Sequence, residues 1–489
     1  MIARMFGNWG QRAIALAIMP PMRRPRRIRL SLIALLAFVF LTTTPSDAAD
    51  TLPDRLSDDA FWKLIGALSE TGGTFQSENL LSNETDFPRI MTMLKRTAVP
   101  GRVYLGVGPE QNFNYIATLR PKIAFIIDIR RQNMLEHLIY KALFEMSPDR
   151  ASFISRLFSR RQPTGLTPEQ TVAELFDAYL EERPDQRLFE KNLKEIEDRL
   201  TGTHRFTLTT EDRLHIENVY SAFREFGPLI DYNSRGGGFG GRSFSPSYTE
   251  LMTETDDTGR EWSYLASEAN YRFIRDLENS NLIVPLTGDF GGPKAIRAIG
   301  QYLKDHDAVV SAFYTSNVEG YLFQGGDRRG NPNGGAAKFY DNAAALPLDM
   351  TSTFIRWVPG ARGRPGAGTS IVLAPMFATI DDFNAGRFTA TDLFPPGGFG
   401  RTRGFIGGFL NNGRQSRAPV ERSNWIARVR IIFPLLAAAA AFLVRRFIWR
   451  PMDVGEGWRR KTLYSVAWAI AAYVLAVGLV VLIHPTVPG

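Results

Sequence analysis

The run Ile123-Ala124-Phe125-Ile126-Ile127-Asp128 is apolar along its whole length and ends in an acid. A strand with one wet face alternates apolar and polar residues, whereas a strand apolar throughout belongs in a parallel sheet covered on both faces. Residues 103–108, 282–286 and 308–314 share this character, and helical periodicity separates them. Helices are expected over 113–119 and 131–146, over 261–279, and from Pro293 onward. Strands that alternate with helices predict an α/β fold with a doubly wound, mostly parallel sheet. A capped helix over 57–68, with Ser57 as its cap, precedes the sheet. A helical insertion fills about 150–260, and Thr167-Pro168-Glu169-Gln170 reads there as a helix start. Residues 234–247, rich in Gly, Ser and Pro, read equally as a lid or as a surface linker. Across 325–425, only 371–377 reads as a strand.

In an open parallel sheet the carboxyl ends of the strands gather along one edge, where ligands bind. Three expected strands end in polar or glycine-rich turns, at 106–111, 128–131 and 287–292. Gly106 and Gly108 can let a ligand approach the backbone, and Asp128 can accept hydrogen bonds from ribose hydroxyls. The same residues have a purely structural reading, in which the glycines permit a tight turn and Asp128 caps the helix that follows. Asp289, Asn317 and Glu319 stand at the ends of later strands, where Asp289 and Glu319 are candidates for a carboxylate pair.

Charge is segregated along the chain. The formal net charge is +8. Five arginines between Arg23 and Arg29 precede an apolar run, and a second basic group surrounds the apolar segments near the C-terminus, which leaves residues 51–410 net negative. Basicity that flanks hydrophobic segments matches membrane topology and anionic lipid, not a nucleic-acid backbone. Residues 1–49 have the basic, apolar, small-residue order of a secretory signal or signal anchor. Residues 463–483 are long enough to cross a hydrocarbon layer of about 30 Å, and 431–449 is expected either to complete a two-helix hairpin or to lie on the surface. Lys and Arg between the two segments favour a cytoplasmic connection. The expected domains are therefore a signal at 1–49, a globular region at 50–425 and a membrane anchor at 426–489. This places the protein in a bacterial inner membrane with the globular region in the periplasm, and makes the lipid bilayer its first partner.

At Gly106-Val107-Gly108, Asp128 and the 287–292 turn, the chain resembles an uncharacterised bacterial group with a class I S-adenosylmethionine-dependent methyltransferase-like domain. The resemblance covers roughly 55–150 and 260–325 and implies a Rossmann-like sheet with S-adenosylmethionine as cofactor. By position, Gly106 and Gly108 would line the methionine part, Asp128 would hold the ribose and Asp289 would face the acceptor, with Glu319 or Asn317 helping to position it. The acid usual before the glycine turn is Tyr104 here, and Glu110 occupies the place of the third glycine, so Glu110 joins Gly106, Gly108 and Asp128 in the implied cofactor-binding set.

Other chemistries lack their residues. Without cysteine there is no thiolate nucleophile and no Cys-ligated metal. No Gly-x-Ser-x-Gly elbow and no phosphate-binding Gly-x4-Gly-Lys-Ser/Thr loop occurs. The five histidines have no metal-ligand spacing and read as surface or helix-face residues. Two functions stand: a membrane-anchored methyltransferase-like enzyme, and a non-catalytic binding or scaffold protein of the cell envelope that takes an unknown small-molecule or envelope ligand. The export signal favours the second, because S-adenosylmethionine is expected in the cytoplasm.

Overall fold

The computed structural model describes residues 50–75, 77–232, 234, 245–324, 334–359 and 369–393. The expected signal, both membrane segments and most of the 234–247 loop lie outside the described residues. No described helix is long and apolar enough to cross a membrane.

In chain order the elements begin with helices α1 (Asp58–Leu68) and α2 (Phe87–Thr97), strand β1 (Val103–Gly106), helix α3 (Gln111–Leu119), strand β2 (Ile123–Asp128) and helix α4 (Arg131–Met146). The insertion follows as α5 (Arg150–Phe158), α6 (Val172–Leu180), α7 (Gln186–Glu197), α8 (Thr210–Phe226) and α9 (Tyr248–Thr253). The sheet resumes through α10 (Glu268–Asn279), β3 (Ile283–Thr287), α11 (Ala295–Asp305), β4 (Val310–Ser316), α12 (Val318–Gln324), α13 (Gly334–Ala344), β5 (Thr353–Pro359) and β6 (Thr369–Pro375), before α14 (Met376–Asn384).

The strands form one mixed sheet in the order β3-β2-β1-β4-β5-β6. The first five run parallel, and β6 is antiparallel to β5. The apolar strands occupy its centre, where every residue of β1, β2 and β3 is buried. Helix α4 lies against β2 and β3, and α10 packs on α4 and α3. An aromatic cluster ties this layer to the insertion: Phe144 stacks on Phe153 at 4.5 Å between centroids, and Phe113 meets Phe144 and Tyr264 edge-on.

The expected β2 and α4 match their observed bounds, and Ser57 caps α1 by accepting from the Ala60 amide at 3.2 Å. Three expectations need correction. Thr167 to Gln170 close only a turn; the capping box is one step later, where Thr171 Oγ1 accepts from the Glu174 amide at 3.2 Å and Glu174 accepts from the Thr171 amide at 2.8 Å. The helix expected from 261 starts at Glu268, where the Ser267 hydroxyl supplies the cap. Strand β5 was not legible, because Arg356 interrupts its apolar pattern.

Candidate functional site

The strand order reverses between β1 and β4, so the crevice outside their carboxyl ends is the topological switch point. A cavity of about 180 Å³ occupies it. The turn after β1 supplies Val107, Gly108 and Pro109; the end of β2 supplies Asp128, Ile129 and Arg130; the end of β3 supplies Gly288, Asp289 and Phe290. Tyr314, Ser316 and Asn317 come from the end of β4, and the stretch before α2 adds Phe75, Asn79, Ser82 and Glu84.

The two glycines of the β1 turn do different work. Gly108 has φ +78°, a left-handed conformation that L side chains rarely adopt, and a Cβ there would meet only Asn79 Nδ2 at 4.0 Å. It therefore gives a ligand open access to backbone. At Gly106 a Cβ would lie 1.9 Å from Asn112 Oδ1. Asn112 is the internal brace of the turn: its amide donates to the carbonyls of Val107, Gly108 and Pro109 at 2.7–3.0 Å, and its oxygen accepts from Tyr104 Oη at 2.9 Å. Gly106 makes room for that brace and does not line the cavity.

His137 and Glu110 support the turn from behind, and both are buried. His137 Nε2 lies 2.9 Å from the Gly108 carbonyl, which can only accept, so this nitrogen carries the proton. Burial pushes the imidazole down to about 4, and it is neutral at pH 7. Of the two positions expected for the histidines, His137 takes the helix face and not the surface, because α4 is covered by the insertion. Glu110 accepts the Ser82 amide at 3.2 and 3.3 Å and so ties the preceding loop to the turn. Burial pushes its carboxyl up to about 8. It stands behind the cavity wall.

Asp128 reaches the cavity with its carboxylate already engaged. Arg130 donates to it from the backbone at 2.8 Å, from Nε at 3.1 Å and from Nη2 at 3.0 Å. The remaining Arg130 nitrogen points to the carbonyls of Ser77 and Glu78. Of the roughly four lone-pair positions on a carboxylate, three are used. A ribose hydroxyl would find one.

Asp289 and Asn317 lie on the cavity, half-buried. Asp289 Oδ1 accepts the Gly291 amide at 2.9 Å, and its own amide donates to Glu70 at 3.0 Å. Glu319 is elsewhere. On α12, Val318, Tyr321 and Leu322 form the face that lines the cavity, and Glu319 falls on another side of the helix. There it accepts Arg356 Nε at 2.8 Å and Nη2 at 2.6 Å, together with the hydroxyls of Thr315 and Tyr340. The structure does not bring the expected Asp289–Glu319 carboxylate pair together on the cavity.

The residue that sequence reasoning missed is Glu84. It is 2% exposed, yet it lines the cavity. Tyr314 Oη donates to Oε2 at 2.7 Å, and Ser316 Oγ donates to Oε1. Ser316 has φ +50°, and the pairing of β4 with β5 shifts register between Tyr314 and Ser316. An irregularity of this kind re-aims a side chain, and here it turns the Ser316 hydroxyl onto Glu84. Burial pushes the Glu84 carboxyl up to about 7 despite both donors. Its only sequence signal was an acid in a polar loop.

A second groove of about 430 Å³ shares Phe75 and Arg130 with the cavity and adds Thr74, Ser77, Gln132 and Asn218. The first cavity alone is below the roughly 300–1,000 Å³ usual for a drug-sized ligand.

A family model described as Domain of unknown function (DUF7790) matches residues 80–366. The chain belongs to the DUF7790 family. No curated protein matches it. The DUF7790 region takes in β1 to β5 with Glu84, Asp128 and Asp289, whereas Phe75 and Asn79 reach the cavity from outside it.

Proposed function

We propose that the switch-point cavity binds an adenosyl ligand, with S-adenosylmethionine as the first compound to test, and that the protein is a membrane-anchored methyltransferase-like protein of the cell envelope. The observation that carries this reading is Gly108, at positive φ and unobstructed, on a cavity that Asp128 and Asp289 also reach. A glycine turn of this kind accepts close approach of a ligand to the backbone, and an acid at the next strand end can take a ribose hydroxyl. S-adenosylmethionine, when bound, supplies an electrophilic methyl group. Gly108 and Pro109 would hold it, Asp128 would give one acceptor position, and Asp289 and Asn317 would orient the molecule to be methylated. The charge pattern outside the described residues is the support for lipid as a partner and for a periplasmic globular region.

One observation favours a second reading, a non-catalytic binding or scaffold protein. Arg130 takes up most of the Asp128 carboxylate, as expected of a site that has kept its sheet and given up its sugar contact. Isothermal titration of the full-length protein with S-adenosylmethionine separates the two. Saturable heat that Gly108→Val removes, with the circular dichroism spectrum unchanged, supports the adenosyl reading. A folded protein that gives no heat up to millimolar ligand leaves the scaffold reading.

A further inference from the structure

We propose that Glu84 reads positive charge on the bound molecule, so that the cavity takes a sulfonium ligand in preference to its neutral thioether counterpart. The inference rests on the adenosyl reading for its probe and adds to it the feature of the ligand that is recognised.

The geometry is specific. Glu84 is almost fully buried, and its carboxyl is held on the cavity by two hydroxyls, Tyr314 and Ser316, with no cation among its partners in the described residues. A carboxylate withdrawn from water with only neutral donors is costly, and an opposite charge nearby offsets that cost. Arg130 is the one Lys or Arg among the described residues that line the cavity, and its guanidinium is committed to Asp128 and to two carbonyls. No other cation among the described residues lines the cavity, and a ligand can supply the positive charge. Phe75, Phe290, Tyr321 and Tyr232 also line the cavity, and aromatic faces attract cations as well. The left-handed Ser316 and the register shift beside it keep one donor aimed at Glu84, a local strain of the kind that clusters at ligand sites.

Among the described residues, the other groups that act on Glu84 carry no positive charge. Tyr104 comes from β1, Tyr115 and Glu110 from α3 and its entry, and Tyr314 and Ser316 from β4. Asp289 also lines the cavity. With burial pushing Glu84 up to about 7, its ionised fraction grows between pH 6 and 8, and preference for a cation grows with it.

The test compares S-adenosylmethionine with S-adenosylhomocysteine, which share amine, carboxylate and nucleoside and differ by one methyl group and the sulfonium charge. Isothermal titration on the full-length protein at pH 6, 7 and 8 is expected to show the sulfonium compound binding about tenfold tighter at pH 8, with the preference shrinking toward pH 6. In Glu84→Gln the two compounds should bind alike at every pH. Tyr314→Phe keeps the carboxyl and removes a donor to its ionised form, so the preference should set in at higher pH; this variant and the wild-type pH series carry the test if Glu84→Gln does not fold. Equal affinities in the wild type, or a preference that survives in Glu84→Gln, overturn the charge reading and leave the adenosyl reading standing. No binding of either compound overturns both.

Discussion

Two buried carboxyl groups flank the end of β4, and their surroundings differ in one respect. Glu319 is 2% exposed and meets the Arg356 guanidinium through two hydrogen bonds, on the side of α12 away from the cavity. Glu84 is equally buried, has only hydroxyl donors among the described residues and faces the cavity. A paired buried charge is complete within the fold and holds elements together, here α12 to β5. An unpaired one lowers stability and becomes useful when something else completes it. Burial of an acid therefore does not identify a site; the absence of its counter-ion beside open space does.

The sharpest break of this comparison is Arg356→Met, which leaves Glu319 buried without its cation. Loss of about 3–5 kcal/mol in urea unfolding is expected, and a loss under 1 kcal/mol would dissolve the distinction. Glu84→Gln should act in the opposite sense. The folded group holds its proton up to about pH 7, whereas an unfolded glutamate releases it near 4.5, so between these values the native state binds more protons and stability falls as pH rises. Glu84→Gln removes that slope, and at pH 8 the variant should be more stable than wild type by on the order of 1–3 kcal/mol, read from denaturant midpoints at pH 5 and pH 8. Glu110→Gln, whose parent carboxyl is pushed up to about 8, should flatten a further part of the same curve that extends to higher pH.

The glycines of the β1 turn extend the contrast to smaller effects. Gly106→Ala places a methyl group into Asn112 and should cost about 1–3 kcal/mol of stability, because the brace of the turn must shift. Gly108→Ala should cost about 1 kcal/mol through its positive φ alone, since no atom obstructs the methyl group, and should lower ligand affinity more than stability. Equal effects of the two substitutions on both measurements would mean that the turn acts only as packing.

The sheet was legible because its central strands are buried on both faces, so their residues carry no polar alternation to confuse the reading. Gly108, Asp128, Asp289 and Asn317 were placed on the cavity edge by the same logic, strand ends gathering at one side. What escaped depends on direction. Glu319 is one residue from Val318, and only the helix phase of α12 turns it from the cavity toward Arg356. Strand β5 hid because Arg356, the partner that makes sense of Glu319, reads as surface when taken alone. Glu84 lies in a loop without periodicity, and its importance comes from Tyr314 and Ser316, far along the chain. Asp128 was found by position, but its engagement with Arg130 follows from side-chain geometry two residues on.

The strand order also bears on how the chain reaches its native state. β1 pairs with β2 across a short connection, and β5 with β6 likewise, but β1 meets β4 only after the entire helical insertion has intervened. Contacts between segments so distant in the chain form slowly, because loop closure must precede the gain from pairing. The seams of β1 with β4 and of β2 with β3, both formed across that insertion, are then the late joints of the fold, and the ends of all four strands line the cavity. A molecule seated there clasps both halves, and amide exchange at Leu105 and Phe313 should slow on binding more than exchange along β6.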